Sequence, residues 1–174
     1  RQVPERYIPP GGTIMDGMVS ALDASVGVIL EALQDEGLEQ NTLVVFINDN
    51  GAKRSENNHP YRGGKGGLLE GGIRVPFSMR WPAGLPAGQV YDEPVSQLDI
   101  LPTALSIAGG HLPEDREFDG IDLMPYLLGN ESGVPHSSLY WRQVDATGHI
   151  VGYAVRSRDL KLVIQPGNGE EPES

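Results

Sequence analysis

Residues 15–33 place Met15, Met18, Val19, Leu22, Val26, Ile29, Leu30 and Leu33 at helical spacing, and beyond Gly37 the run "TLVVFI" at 42–47 is apolar without alternation. This succession constrains the fold more than anything else in the chain. The first pattern gives a helix with an apolar stripe, leaving Asp16, Asp23, Glu31 and Gln34 largely off it. Gly37 is suited to a left-handed cap that ends the helix. The second pattern suits a strand covered on both faces, as in a parallel sheet. Helix, short turn and buried strand make half of an α/β crossover unit.

The rest of the chain extends that plan. "IRVPFSMRWP" reads as a further strand, with Pro76 at an edge or bulge. "SQLDILPTALSIAGG" reads as a short helix with Ser96 or Asp99 as cap, Pro102 in its first turn and Gly109 as its stop. "EFDGIDLMPYLLGN" holds a turn and up to two helical turns. The texture then changes: "SSLYWRQ", "IVGYAVRS" and "LKLVIQ" are short strands at turn-like intervals, the pattern of a small antiparallel sheet. "RQVPERYIPPGG" reads as an extended arm and "PGNGEEPES" as a loose acidic tail. The fold class is therefore α/β, with a parallel-type strand and flanking helices in residues 1–130. A small antiparallel subdomain with the acidic tail follows in 131–174.

Charge narrows the partners. Lys and Arg number 13 against 24 Asp and Glu, a net charge of −11. Such a field argues against nucleic acid or an anionic membrane as the main partner, and any anionic substrate needs a local nest of positive charge. With no Cys there is no disulfide, thiolate metal site or cysteine nucleophile. No run of about 18 apolar residues marks a membrane span.

Residues 48–72 form a long loop of glycine and polar residues, and such a length is more often functional than idle. Asp49 and Asn50 stand just past the carboxyl end of a strand, the edge where open α/β sheets bind ligands. A carboxylate and an amide oxygen are hard donors suited to Ca²⁺ or Mg²⁺. By composition alone "DNG" reads first as a tight turn, and two donors do not fill a Ca²⁺ shell of about six to eight oxygens. "RGGKGG" is not a phosphate-binding Walker A loop, because no Ser or Thr follows Lys65. Its glycines let backbone approach an anion while Lys65 pairs with it, and Arg62 adds to a basic spot that is rare in this chain. His59 is a candidate substrate contact in the same loop. Glu70, before Gly71 and Gly72, is placed to cap or to pair with a basic neighbour. No nucleophile with an adjacent base can be assembled.

The order of these pieces resembles the sulfatase family, the arylsulfatase-like branch of the alkaline phosphatase superfamily. "MVSALDASVGVILEALQDEGLEQNTLVVFINDNG" resembles its helix leading to a strand and a metal-binding "DNG", and "YRGGKGGLLEGGIRVPFSMRWP" resembles its "RGGKG…EGGIRVP" segment. "SQLDILPTALSIAG" and "SLYWRQ…YAVRSRDLKLV" resemble the helix and C-terminal hairpin that follow, so the likeness runs over residues 3–163. It implies an alkaline-phosphatase-like α/β sandwich, one Ca²⁺ ligated by Asp49 and Asn50, and Lys65 on a sulfate oxygen. Phosphatases and phosphodiesterases on this plan tend to carry Asp-His with two transition metals at the "DNG" position. The family's nucleophile is a formylglycine made in a Cys/Ser-x-Pro-x-Arg motif, which does not occur here. The resemblance thus implies the C-terminal third or so of a Ca²⁺-dependent sulfatase, acting on a small-molecule or carbohydrate sulfate ester. The N-terminal part of the same protein would be the partner that completes it, and the chain alone would be inactive. Export is implied likewise, with its signal upstream. Arg158 and Leu160 stand where the family often has Gly and Trp. Two alternatives stay open: a phosphodiesterase or phosphonate hydrolase on the same scaffold, and a non-catalytic binding module.

Overall fold

The computed structural model describes residues 4–53 and 58–165; the first three residues of the arm, residues 54–57 of the long loop and the acidic tail from 166 lie outside them. The chain divides into two compact units, Arg1–Val44 with Arg80–Ala87, and Val45–Met79 with Gly88–Ser174.

In the first unit the helical periodicity becomes α1 (Ile14–Asp35). Thr13 and Asp16 form a reciprocal capping box: the Thr13 hydroxyl accepts from the Asp16 N–H, and the Asp16 carboxylate accepts from the Thr13 N–H at 2.7 Å. The backbone and hydroxyl donors of Thr13 hold the Asp16 carboxyl below its ordinary range. At the other end Gly37 takes φ 66°, the left-handed cap expected for it. Short 3-10 turns at Glu5–Tyr7 and Glu39–Asn41 pack on α1. Glu39 pairs with Arg80 at 2.9 Å, and the Trp81 indole donates to the Gln40 carbonyl at 3.0 Å. The apolar stripe is formed but mostly bare: Met15, Met18, Val19, Leu22 and Ile29 are exposed.

The apolar run becomes β1 (Val44–Ile47), paired with β2 (Phe77–Arg80), which starts directly after Pro76; all but the end residues Val44 and Arg80 belong to the second unit. β1 is half-buried along its length rather than fully covered, and β2 is its single hydrogen-bonded neighbour among the described residues. A single helical turn, α2 (Glu70–Ile73), precedes β2. The 3-10 turn Gln97–Asp99 runs into α3 (Ile100–Ile107), stopped by Gly109 at φ 73°. A second single turn, α4 (Met124–Leu127), follows. β3 (Leu139–Val144), β4 (Ile150–Ser157) and β5 (Leu160–Ile164) form an antiparallel sheet in sequence order, as the strand spacing implies.

The core of this unit has a polar centre. Asp99, wholly buried, accepts from the N–H groups of Ser96 (2.7 Å) and Ile121 (3.0 Å) and from His136 Nε2 (2.9 Å). Thr103, equally buried, accepts from the Leu123 N–H at 2.9 Å. These bonds stitch the segment before α4 onto α3 and satisfy groups that would be costly to bury unpaired. Leu68, Leu123, Met124 and Ala154 supply the buried apolar side chains.

Arg158, in the turn between β4 and β5, adopts φ 52°, a conformation costly to any residue with a Cβ. Arg158→Gly should raise stability by about 0.5–1 kcal/mol, a net of relieved strain and added unfolded-state entropy. Thermal unfolding checks this; a lower Tm would show that the turn is not strained.

Candidate active site

β1 delivers the chain to a turn whose polar atoms are mostly committed. The Asp49 carboxylate accepts from the Asn50 N–H at 2.9 Å. Asn50 Nδ2 donates to the Gly51 carbonyl at 2.8 Å, leaving the amide Oδ1 as its open donor atom toward a cation. Gln97 Nε2 reaches the carbonyl of Asn48 at 2.9 Å and fixes the exit of the strand.

The loop then folds back on this turn. The Asn58 side chain accepts from the Ala52 N–H (3.0 Å) and donates to the carbonyls of Ala52 (3.1 Å), Lys53 (3.3 Å) and Gly63 (3.2 Å), closing the loop from within. The Lys65 N–H bonds to the Ala52 carbonyl at 2.8 Å, Gly51 N–H to the Gly72 carbonyl at 2.9 Å, and Gly71 N–H to the Arg62 carbonyl at 2.8 Å. Three stretches of backbone are thereby bonded together.

The glycines are what allow this. A Cβ on Gly51 would overlap the Gly71 carbonyl oxygen, and one on Gly72 would overlap the carbonyl of Gly67. The expected hinge is therefore a close-packed crossing of main chains. The positive φ of Gly63 and Gly66, 88° and 81°, turns the chain on either side of Lys65.

The sequence candidates fall as follows. Asp49 and Lys65 are exposed, Asn50 is half-buried, and the Lys65–Ala52 bond draws Lys65 to the Asp49-Asn50 turn. No ion pair engages Lys65 or Asp49 among the described residues. Arg62 is exposed and joins the crossing through its carbonyl; His59 is exposed on the turn beside Asn58. Glu70 pairs with basic neighbours, as its setting suggested: Lys161 at 2.7 Å, Arg156 at 3.1 Å and Arg74 at 3.9 Å. Asn58 and Gln97 carry no signal in the sequence, because nothing local distinguishes an amide that binds backbone carbonyls from a solvated one.

Chemically the turn offers a carboxylate oxygen and an amide oxygen, a donor pair that fits a hard divalent cation, and Lys65, whose backbone bonds to Ala52, carries an ammonium that no ion pair engages among the described residues. Among the described residues no group of three or more His, Asp or Glu gathers as a metal cluster. Two donors would thus fill part of a coordination shell.

The comparisons bear on the whole arrangement. A family model described as Sulfatase matches residues 15–110, spanning α1, β1 and the crossing. The chain belongs to the sulfatase family. A second model, N-sulphoglucosamine sulphohydrolase, C-terminal, matches residues 64–171 of this sulfatase-family chain. Human steryl-sulfatase is 45% identical over 132 residues, covering 70% of this chain and 23% of that protein. The chain thus spans about a quarter of the length of such curated relatives. The crystal structure of Ps i-CgsB in complex with k-i-k-neocarrahexaose is similar with a TM-score of 0.78 and 38% identity, over 86% of this chain and 33% of that one. Phosphonate monoester hydrolase SpPMH from Silicibacter pomeroyi, at 18% identity and a TM-score of 0.68, over 87% of this chain and 32% of that one, shares the fold.

Because a methyl at residue 51 would overlap the Gly71 carbonyl, Gly51→Ala should cost about 1–3 kcal/mol, the range of a forced backbone shift in a packed site. Denaturant unfolding measures it; a loss below about 0.5 kcal/mol, the scale of ordinary surface changes, would mean the crossing is loose.

Proposed function

We propose that the full-length protein hydrolyses sulfate esters and that this chain supplies the side of the site that grips the sulfate. The observation that carries the reading is the backbone bond between Lys65 and Ala52, which brings the main chain at Lys65, a lysine with no ion pair among the described residues, against the turn that holds Asp49 and Asn50 in a chain of the sulfatase family.

Asp49 and Asn50 hold a Ca²⁺ ion in this reading, with the remaining ligands coming from another part of the protein. The bound ion would supply positive charge where negative charge develops on the sulfate oxygens. An amide oxygen at residue 50, instead of an imidazole, favours this hard cation over a transition metal. Lys65 binds a sulfate oxygen and orients the ester, and Arg62 and His59 are further contacts along the same loop. In a chain of net charge −11 this basic spot is what lets an anion approach. The nucleophile, a formylglycine by resemblance, is assigned to a preceding part of the protein, as is the partner surface for the exposed stripe of α1.

The substrate class is a sulfate ester on a carbohydrate or an aryl-type group. Support comes from the names of similar proteins, one a steryl-sulfatase and one crystallised with a neocarrahexaose. Export from the cytoplasm belongs to the same reading.

In the full-length protein Asp49→Ala should lower kcat/KM for a sulfate ester at least about 100-fold and abolish stimulation by Ca²⁺, the scale of losing a transition-state charge contact. Steady-state kinetics with and without chelator measure this. Unchanged turnover with unchanged metal dependence would refute the assignment.

A further inference from the structure

One face of the C-terminal sheet grips the crossing at three places. Arg156 of β4 and Lys161 of β5 are direct cross-strand partners, and both reach the carboxylate of Glu70. Leu68 packs on that face against Gly152. Gln143 of β3 donates through its side-chain amide to the carbonyl of Gly66, next to Lys65.

Glu70 is the focus. Its carboxylate takes Lys161 on one oxygen at 2.7 Å and Arg156 on the other at 3.1 Å, with Arg74 at 3.9 Å. The Arg156 and Lys161 pairs are about three-quarters buried or more: side-chain exposure is 26% for Glu70, 25% for Arg156 and 14% for Lys161. Lys161 is also held 5.3 Å over the Trp141 ring, and Arg156 Nε donates to the Arg158 carbonyl at 3.1 Å, so neither cation is a swinging surface chain. Three cations meet one carboxylate in a chain with only 13 basic residues. Such a hub costs side-chain entropy at every partner, more than a solvated glutamate would.

The neighbours of Glu70 explain its value. Gly71 bonds to Arg62, and Gly72 accepts the N–H of Gly51, the residue after Asn50. A displacement of Glu70 therefore passes through one or two peptide units to the metal turn and to the glycine run that carries Lys65. We propose that Glu70 is a positioning residue: through Arg156 and Lys161, the C-terminal sheet sets the placement of Asp49, Asn50 and Lys65. This deepens, and rests on, the assignment of those three residues to a sulfate-binding site. A misplacement of about 1 Å in such a site can cost on the order of 100-fold in rate.

The test uses the full-length protein with Glu70→Gln and, independently, Lys161→Met, which keeps the stem over Trp141 but removes the charge. Two readouts are taken: hydrogen exchange at the amides of Gly51, Lys65 and Gly71 against control amides in α3, and kcat and KM for a sulfate ester. Each variant should speed exchange at the three amides by about tenfold or more while leaving the α3 amides unchanged, the mark of local opening. Each should lower kcat more than it raises KM, and the double variant should lose no more than the worse single one, as expected for groups acting as a unit. Wild-type exchange at Gly51, Lys65 and Gly71 in either folded variant would overturn the proposal, as would a lowered Tm with unchanged kcat. Exchange does not depend on turnover. Absence of sulfate ester hydrolysis by the wild type would thus sink the sulfatase reading, while the exchange result would still decide whether the sheet holds the crossing.

Discussion

Main chain lies directly on main chain where residues 49–52, 62–67 and 69–73 cross, with no space for a side chain between Gly51 and Gly71 or between Gly72 and the carbonyl of Gly67. The placement of Lys65 and Arg62 against the Asp49-Asn50 turn follows from this contact. Glycine is expensive there: each one adds roughly 0.5–1 kcal/mol of backbone entropy to be lost on folding. What offsets it is the set of short backbone bonds linking Gly51 to Gly72, Lys65 to Ala52 and Gly71 to Arg62. A bulkier loop would hold the main chain at Lys65 away from the turn at the end of β1.

The charge distribution follows the same division. An overall charge of −11 opposes the approach of any anion. Three of the few cations are drawn to Glu70, and two of them, Arg156 and Lys161, bind the sheet to the loop, whereas Lys65 and Arg62 stay exposed and unpaired among the described residues. The first group acts on position and the second remains available to a ligand. Asp99 and His136 play the positional part elsewhere, a buried pair that fixes the residues ahead of α4 and the approach to β3.

Local patterns were legible in the sequence and distant ones were not. The span of α1, its Gly37 cap, the stop of α3 at Gly109 and the three C-terminal strands all follow from periodicity and turn residues within a few positions. The resemblance to sulfatases was legible as an order of short motifs, none of them specific by itself. Burial was not: β1 has the composition of a strand covered on both faces, but coverage depends on neighbours, and here it is half-buried. The sheet partners of Glu70 lie 86 and 91 residues away, and those of Asp99 include His136, 37 residues on. A glutamate before two glycines announces that it wants a cation without saying which. The glycines themselves read as freedom of movement, whereas their use is close approach, a property of the far side of the contact.

The most direct measurement compares turnover of a sulfate and a phosphate monoester sharing one aryl leaving group, using the full-length protein with Ca²⁺, after chelation, and after Ca²⁺ is restored. A clamp of one hard cation and one ammonium around a sulfate should hydrolyse the sulfate ester in clear preference, stop on chelation and recover with Ca²⁺. Preference for the phosphate ester, or sulfate turnover indifferent to chelation, would contradict the assignment of Asp49, Asn50 and Lys65.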